Sequence, residues 1–252
     1  MTHLQKLVEQ AVADLKERRK SPLPEPLDDV RPFKTRLLQA AGNPLIAEVK
    51  RASPSRGAIN PQLDPAQLGK AFERGGAACL SVLTDRVHFG GSLEDLRAAR
   101  AAVSLPVLRK DFIVSIFQVY EARAFGADAV LLIAAAAPPS LLEELASLAR
   151  ELQMAVLCEV HQESELQTAA LCQPDLLGIN ARDLKTLEVH PDTFARLAPE
   201  AQKIAPLVAE SGIKSVEDVR RFRSQGAAAL LVGEALSSAA DPESATRALV
   251  QA

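Results

Sequence analysis

Eight short apolar runs of strand length recur in order from Leu45 onward, separated by segments with helical spacing. They are LIAEV from Leu45, CLSVL from Cys79, PVLRK from Pro106, AVLLI from Ala129, AVLCEV from Ala155, DLLGIN from Asp175, PLVAES from Pro206 and ALLVG from Ala229. Between them, SLEDLRAARAAV, SLLEELASLARELQ and SVEDVRRFRSQGA carry apolar residues three and four apart, and each opens on a serine placed as an N-cap. The strand–helix unit returns about every 26 residues. A doubly wound open sheet would have fewer strands and a glycine-rich nucleotide turn. The turn after the first run, KRASPSRG, holds neither GxGxxG nor GxxxxGK[ST]. A (β/α)₈ TIM barrel uses eight strands in about 250 residues, and this chain has 252. The expected fold is therefore α/β, one domain, with the barrel over 44–252.

Residues 1–43 stand apart. Leu4, Leu7, Val8, Val12 and Leu15 recur at helical spacing, which predicts an amphipathic helix laid on the barrel, followed by the proline-rich connector SPLPEPLDDVRPF. Glu9, Asp14 and Glu17 break any apolar leader, so neither a secretory signal nor a transit peptide is expected. The chain is 48% hydrophobic and 24% charged, which excludes disorder. Its longest apolar stretches fall short of the ~18–20 residues that a membrane span needs. A net charge of −3 argues against a general nucleic-acid binder. Cys79, Cys158 and Cys172 are an odd number without CxxC spacing, as for small buried thiols in a reducing, cytoplasmic protein.

Strand side chains alternate faces, so residues two apart share one. Glu48 and Lys50 then align with Ile46, Lys110 with Leu108, Glu159 with Leu157, and Glu210 with Val208. Asn180 and Arg182 align with Gly178 if the strand continues. All these polar residues fall at the C-terminal ends of their strands, which in a barrel form a single rim where catalytic side chains converge. One such charge would be ordinary solvated decoration. Six charges and an amide on five strands predict a polar network suited to an acidic substrate.

Two turns suggest a phosphate. The seventh strand ends in Glu210-Ser211-Gly212 and the eighth in Gly233-Glu234, where this architecture commonly binds phosphate. The Glu234 carboxylate must then point away from the anion. His3, His88, His161 and His190 lack HExxH or clustered spacing, and GxSxG is missing, so neither a metal nor a serine nucleophile is expected.

Seven segments, AEVKRASPSRG (47–57), LSVLTD (80–85), LRKDF (108–112), EARAFGADAVLLI (121–133), LGINARDL (177–184), ESGI (210–213) and LVGEAL (231–236), resemble indole-3-glycerol phosphate synthases in order and spacing. The resemblance implies a ribulose-phosphate-binding barrel of tryptophan biosynthesis. Such an enzyme converts 1-(2-carboxyphenylamino)-1-deoxyribulose 5-phosphate to indole-3-glycerol phosphate, carbon dioxide and water. By that likeness Lys110 is the general acid and Glu159 a general base, supported by Glu48, Lys50, Asn180 and Glu210. Ser53, Arg182, Ser211, Gly212, Gly233 and Glu234 contact substrate, largely around its phosphate, and Phe89, Phe112, Leu131 and Leu231 line its apolar part. The leading helix resembles the family's extra segment over the barrel mouth. His88, Ser115-Ile116, Ala181 and Ser237 depart from the common pattern, at positions expected to affect substrate loops and affinity.

The implied chemistry suits these residue types. Ring closure needs a proton on the ketone oxygen, which an ammonium of ordinary pKa about 10.4 can supply. Attack makes an iminium-like adduct that accepts the electrons of the departing carbon dioxide, so no cofactor is required. Dehydration then needs a base, for which an ionised glutamate serves. The expected partner is a phosphorylated small molecule, bound by a monomer. Two rivals share the phosphate features: a phosphosugar isomerase or epimerase, and a non-catalytic phosphosugar-binding barrel.

Overall fold

The computed structural model describes residues 2–26, 29–183 and 186–252. Leu27 and Asp28 of the connector, and Leu184 of the LGINARDL segment, lie outside them. All eight predicted strands are present: β1 (Leu45–Val49), β2 (Cys79–Leu83), β3 (Val107–Lys110), β4 (Ala129–Ile133), β5 (Ala155–Val160), β6 (Leu176–Asn180), β7 (Leu207–Glu210) and β8 (Ala229–Val232). Each pairs in parallel with the next, and β8 returns to β1 through Ile46 opposite Leu231, closing the barrel. Closure leaves the barrel sheet itself without a free edge.

The alternation predicted for the strands sorts the core into two layers. Ile46, Cys79, Leu108, Leu131, Leu157, Val208 and Leu231 fill the interior. Their neighbours Ala47, Leu80, Val107, Val130, Val156 and Leu230 face outward against the helices. Each aliphatic side chain so buried contributes about 1.5–3 kcal/mol. The helix Leu93–Ala102 starts at Ser92, whose hydroxyl accepts from the Asp95 amide. Val216–Ser224 starts at Ser215 in a full capping box with Asp218. The third predicted cap is displaced. The helix Pro139–Glu151 is entered through Pro138 and Pro139, leaving Ser140 inside its first turn; proline there gives up an amide that would have no partner anyway.

The N-terminal segment differs from expectation in two ways. Helix α1 (His3–Arg18) forms as predicted, capped by Thr2 and Gln5, but it buries Leu7, Ala11 and Leu15. Val12 stays 43% exposed. The residues four apart set the contact line, and Val12 lies off it. A second helix, α2 (Phe33–Leu38), follows the connector and buries Phe33 and Leu37. The two helices serve opposite ends of the barrel. His3 and Leu7 help to line a cavity at the strands' C-terminal rim. Phe33 sits at the N-terminal end, where its carbonyl accepts from the Cys79 thiol and Arg31 reaches the carbonyls of Val103 and Leu105. All three cysteines are buried and free. Among the described residues no helix is long and apolar enough to cross a membrane.

Candidate active site

The strand register decides which rim residues can meet. Glu159 on β5 lies opposite Gly178 on β6, and Asn180 lies opposite Glu210 on β7. Gly178 thus leaves a gap in the inward-facing layer, and Glu210 leans into it: a Cβ at 178 would stand 2.1 Å from Glu210 Oε1. A similar gap at Gly233 admits Glu48, whose Oε1 would be 2.4 Å from a Cβ there. Two glycines therefore let two carboxylates lie flat across the barrel mouth.

Lys110, at the end of β3, is the hub. Its Nζ donates to Glu159 Oε2 at 2.9 Å and lies 3.4 Å from Glu210 Oε2. Burial disfavours its charge, but Glu159, Glu210 and Glu48 outweigh that and hold the ammonium above the ordinary lysine range. The two carboxylates respond oppositely. Burial would raise Glu159, yet the Lys110 ammonium and His161 override it and hold this carboxyl well below the usual range. Burial, and then the Glu159 charge, push Glu210 well above it. Beside a single ammonium, one carboxyl is thus shifted toward its ionised form and the other toward its protonated form. That division equips one site with both a base and acids.

The remaining contacts fix these groups. Asn180 donates to Glu159 Oε1 at 3.1 Å and accepts from the Ser211 hydroxyl at 2.8 Å. Lys50 Nζ lies 3.5 Å from Glu48 Oε1 and 5.5 Å from the Phe89 ring centroid, while Ser81 donates to Glu48 Oε2 at 3.2 Å. Behind Lys110, the fully buried Arg109 binds Thr84, Asp111 and the Gln118 carbonyl, which locks the strand end. The Glu121 carboxylate joins this cluster and also pairs with Arg18 of α1.

All sixteen residues anticipated for the site line or adjoin one cavity of about 480 Å³ at the rim, a usual volume for a small-molecule site. Phe89, Phe112, Leu131 and Leu231 form its apolar part, with the two rings 6.4 Å apart. Ser53, Ser211, Gly212, Gly233 and Glu234 lie along it too, and the Glu234 carboxylate turns away to pair with Arg56. Arg182 reaches the site by a route other than the expected strand alternation. Strand β6 ends at Asn180, and Arg182 instead forms a single antiparallel bridge with Val189. It still reaches the cavity, but its guanidinium donates to the Leu187 carbonyl at 2.8 Å and braces its own loop.

Three residues escaped the sequence reading. Ser81 and His161 obey the same two-residue alternation, His161 standing two beyond Glu159, and could have been found by extending it. His161 Nε2 lies 3.1 Å from Glu159 Oε1. Burial opposes its charge, but Glu159 and Glu165 push its pKa up to about 9. Ser237 was seen only as a substrate-loop departure. It is wholly buried and binds the backbone at Glu48 and Lys50. His88 likewise has a structural partner: it lies 3.2 Å from Asp85, which caps the short helix that presents Phe89.

A family model described as indole-3-glycerol phosphate synthase matches residues 3–249. An indole-3-glycerol phosphate synthase of a Nocardioides species is 56% identical over 83% of this chain and 80% of its own length. That of Mycolicibacterium vanbaalenii is 51% identical over 91% and 82%. Among solved structures, thiamine phosphate pyrophosphorylase from Pyrococcus furiosus superposes with a TM-score of 0.63 at 18% identity, covering 85% of this chain and 95% of that one. A 3-hexulose-6-phosphate synthase gives 0.64 at 16% identity, covering 81% and 97%. At such identities the structural likeness speaks for the barrel alone, whereas the sequence matches reach further: this chain belongs to the indole-3-glycerol phosphate synthase family.

Proposed function

We propose that the rim cavity closes the indole ring of indole-3-glycerol phosphate, acting as a decarboxylating carbon–carbon lyase on 1-(2-carboxyphenylamino)-1-deoxyribulose 5-phosphate. The observation that carries this reading is the Lys110 ammonium, 2.9 Å from Glu159 Oε2 and 3.4 Å from Glu210 Oε2, at the mouth of a cavity that is apolar on one side.

The substrate's aryl ring lies against Phe89, Phe112, Leu131 and Leu231. Its phosphate lies toward Ser53, Ser211, Gly212 and Gly233, and Arg182 closes that side. Holding both ends folds the chain so that the aryl carbon bearing the carboxylate approaches the ketone, converting flexible encounter into a positioned one. As the carbon–carbon bond forms, Lys110 gives its proton to the ketone oxygen, which becomes a hydroxyl. The carbon–carboxylate bond then breaks, and its electron pair neutralises the iminium. In the dehydration, Glu159 removes a proton while the hydroxyl leaves as water, protonated from the neighbouring Glu210 carboxyl, and solvent returns the proton that Lys110 gave up in ring closure. Glu48 and Lys50 orient the polyol. These steps balance without an electron sink beyond the substrate. The protein acts from one chain, and its three reduced cysteines suit a cytoplasmic biosynthetic setting.

The test is direct because the chain contains no tryptophan and one tyrosine. Mixing it with the carboxyphenylamino substrate should give indole fluorescence over a weak background, with one carbon dioxide per product. Tight binding without product would overturn the proposal in favour of a non-catalytic barrel.

A further inference from the structure

We propose that His161 is a positioning residue for this chemistry, an imidazole wedged between Glu159 and Glu165 that fixes one carboxylate oxygen of the base and keeps that oxygen out of the proton transfers. The inference rests on the reading of Glu159 as the base.

Its geometry is that of an ion-pair contact with two carboxylates, without a hydrogen bond at Nε2, rather than that of a reactant. His161 follows β5 directly, and its ring is nine-tenths buried. Nε2 lies 3.1 Å from Glu159 Oε1, and Nδ1 lies 3.5 Å from Glu165 Oε2. The His161 backbone amide donates to the same Glu165 oxygen at 2.7 Å, so Glu165 holds both the ring and its main chain. Glu165 comes from the single turn Glu163–Glu165. The Glu159 carboxylate is thereby divided. Oε1 faces His161 and the Asn180 amide, and Oε2 faces Lys110. The Lys110 side opens toward the main cavity, where a substrate proton would be taken.

The far side of the imidazole borders a second cavity of about 400 Å³. Asp183, His190, Asp192 and Arg196, from the segment after β6, face it there, with Thr2 and Leu4 from the start of α1. These charges are mixed in sign, whereas the two carboxylates in contact with the ring are both acidic. Two anions outweigh the cost of burial and keep the imidazole protonated through neutral pH. A cation at that distance favours the ionised form of Glu159, an effect that a purely packing histidine would lack. Of the three groups assigned to the transferred protons, His161 contacts Glu159, so its contribution is to the orientation and charge of that base.

The experiment compares pH profiles of kcat for the full-length wild type and His161→Gln, and follows the His161 titration by NMR. In the variant, kcat at neutral pH should fall about tenfold with KM within about twofold, and the acid limb should move up by about one pH unit. In the wild type, the imidazole should titrate near 9, and in Glu159→Gln its midpoint should fall back toward 6.5. An acid limb that stays in place, or a wild-type midpoint near 6.5, overturns the proposal. The NMR arm needs no turnover and therefore decides the pairing even where His161→Gln does not fold. Absence of product from the wild type would instead overturn the reaction assignment, and the role of His161 with it.

Discussion

The Ser237 hydroxyl donates to the carbonyl of Glu48 at 2.7 Å, so the short helix Glu234–Ser237 after β8 grips the end of β1. The same oxygen lies 3.2 Å from the Lys50 amide, which donates to it. A position that looked like a variable detail of a substrate loop thus holds the backbone beneath two site residues. The first and last strands of a barrel meet at its closure, where such a side-chain bridge substitutes for ladder bonds that have run out.

Ser237→Ala should therefore cost stability and precision together. Losing the hydroxyl removes a hydrogen bond from the Glu48 carbonyl and one from the part-buried Lys50 amide, a penalty of about 1–3 kcal/mol. Urea melts should show the loss. The kcat of the variant should also fall, because Glu48 and Lys50 gain freedom. Unchanged stability would mean that water replaces the hydroxyl without cost.

Gly178→Ala separates site geometry from fold. The added methyl would meet Glu210 Oε1 at 2.1 Å, and that oxygen is the movable end of a side chain. The barrel should tolerate the change with a small shift in Tm, while Glu210 is driven off Lys110 and kcat drops about tenfold or more, as a misplacement of about 1 Å can cost far from the chemistry. Wild-type turnover in a folded variant would remove Glu210 from the mechanism.

Glu159 and Glu210 should respond to pH with opposite sign. The folded pKa of Glu159 is depressed, so its stabilising contribution is present above the unfolded value of about 4.3 and disappears as pH falls through the folded one. The folded pKa of Glu210 is raised, so its contribution is full below about 4.3 and is lost as pH rises through the folded value. Glu159→Gln should then lower Tm at neutral pH and Glu210→Gln should raise it, each difference shrinking in acid. For a chain of this size about 1 kcal/mol corresponds to about 2–4 °C. Thermal melts across pH 4 to 8 check this. Shifts of the same sign in both variants would contradict the assigned protonation.

Much of this architecture was legible because period-two alternation carries both the core and the site. Ile46, Leu108, Leu157 and Val208 point inward, and two residues later so do Glu48, Lys110, Glu159 and Glu210. The rule weakened where strands stop. Arg182 lies beyond the end of β6 and reaches the cavity through a loop bridge, and His161 lies one residue beyond β5. Helix faces were less secure. Val12 has the right spacing for burial, but the surface beneath α1 accepts Leu7, Ala11 and Leu15 instead, a choice made by the shape of the barrel mouth. Ser237 shows the limit of local pattern, since its partners lie 187 and 189 positions away along the chain. No spacing rule reports a contact made by ring closure.

The central claim is that Lys110 delivers the proton that drives ring closure. Single-turnover and steady-state kinetics of Lys110→Ala, followed by indole fluorescence, test it most directly. The account predicts kcat lower by roughly 10²–10⁴-fold, the range for a positioned general acid, with KM changed by no more than a few fold. Near-normal turnover in that variant would contradict it.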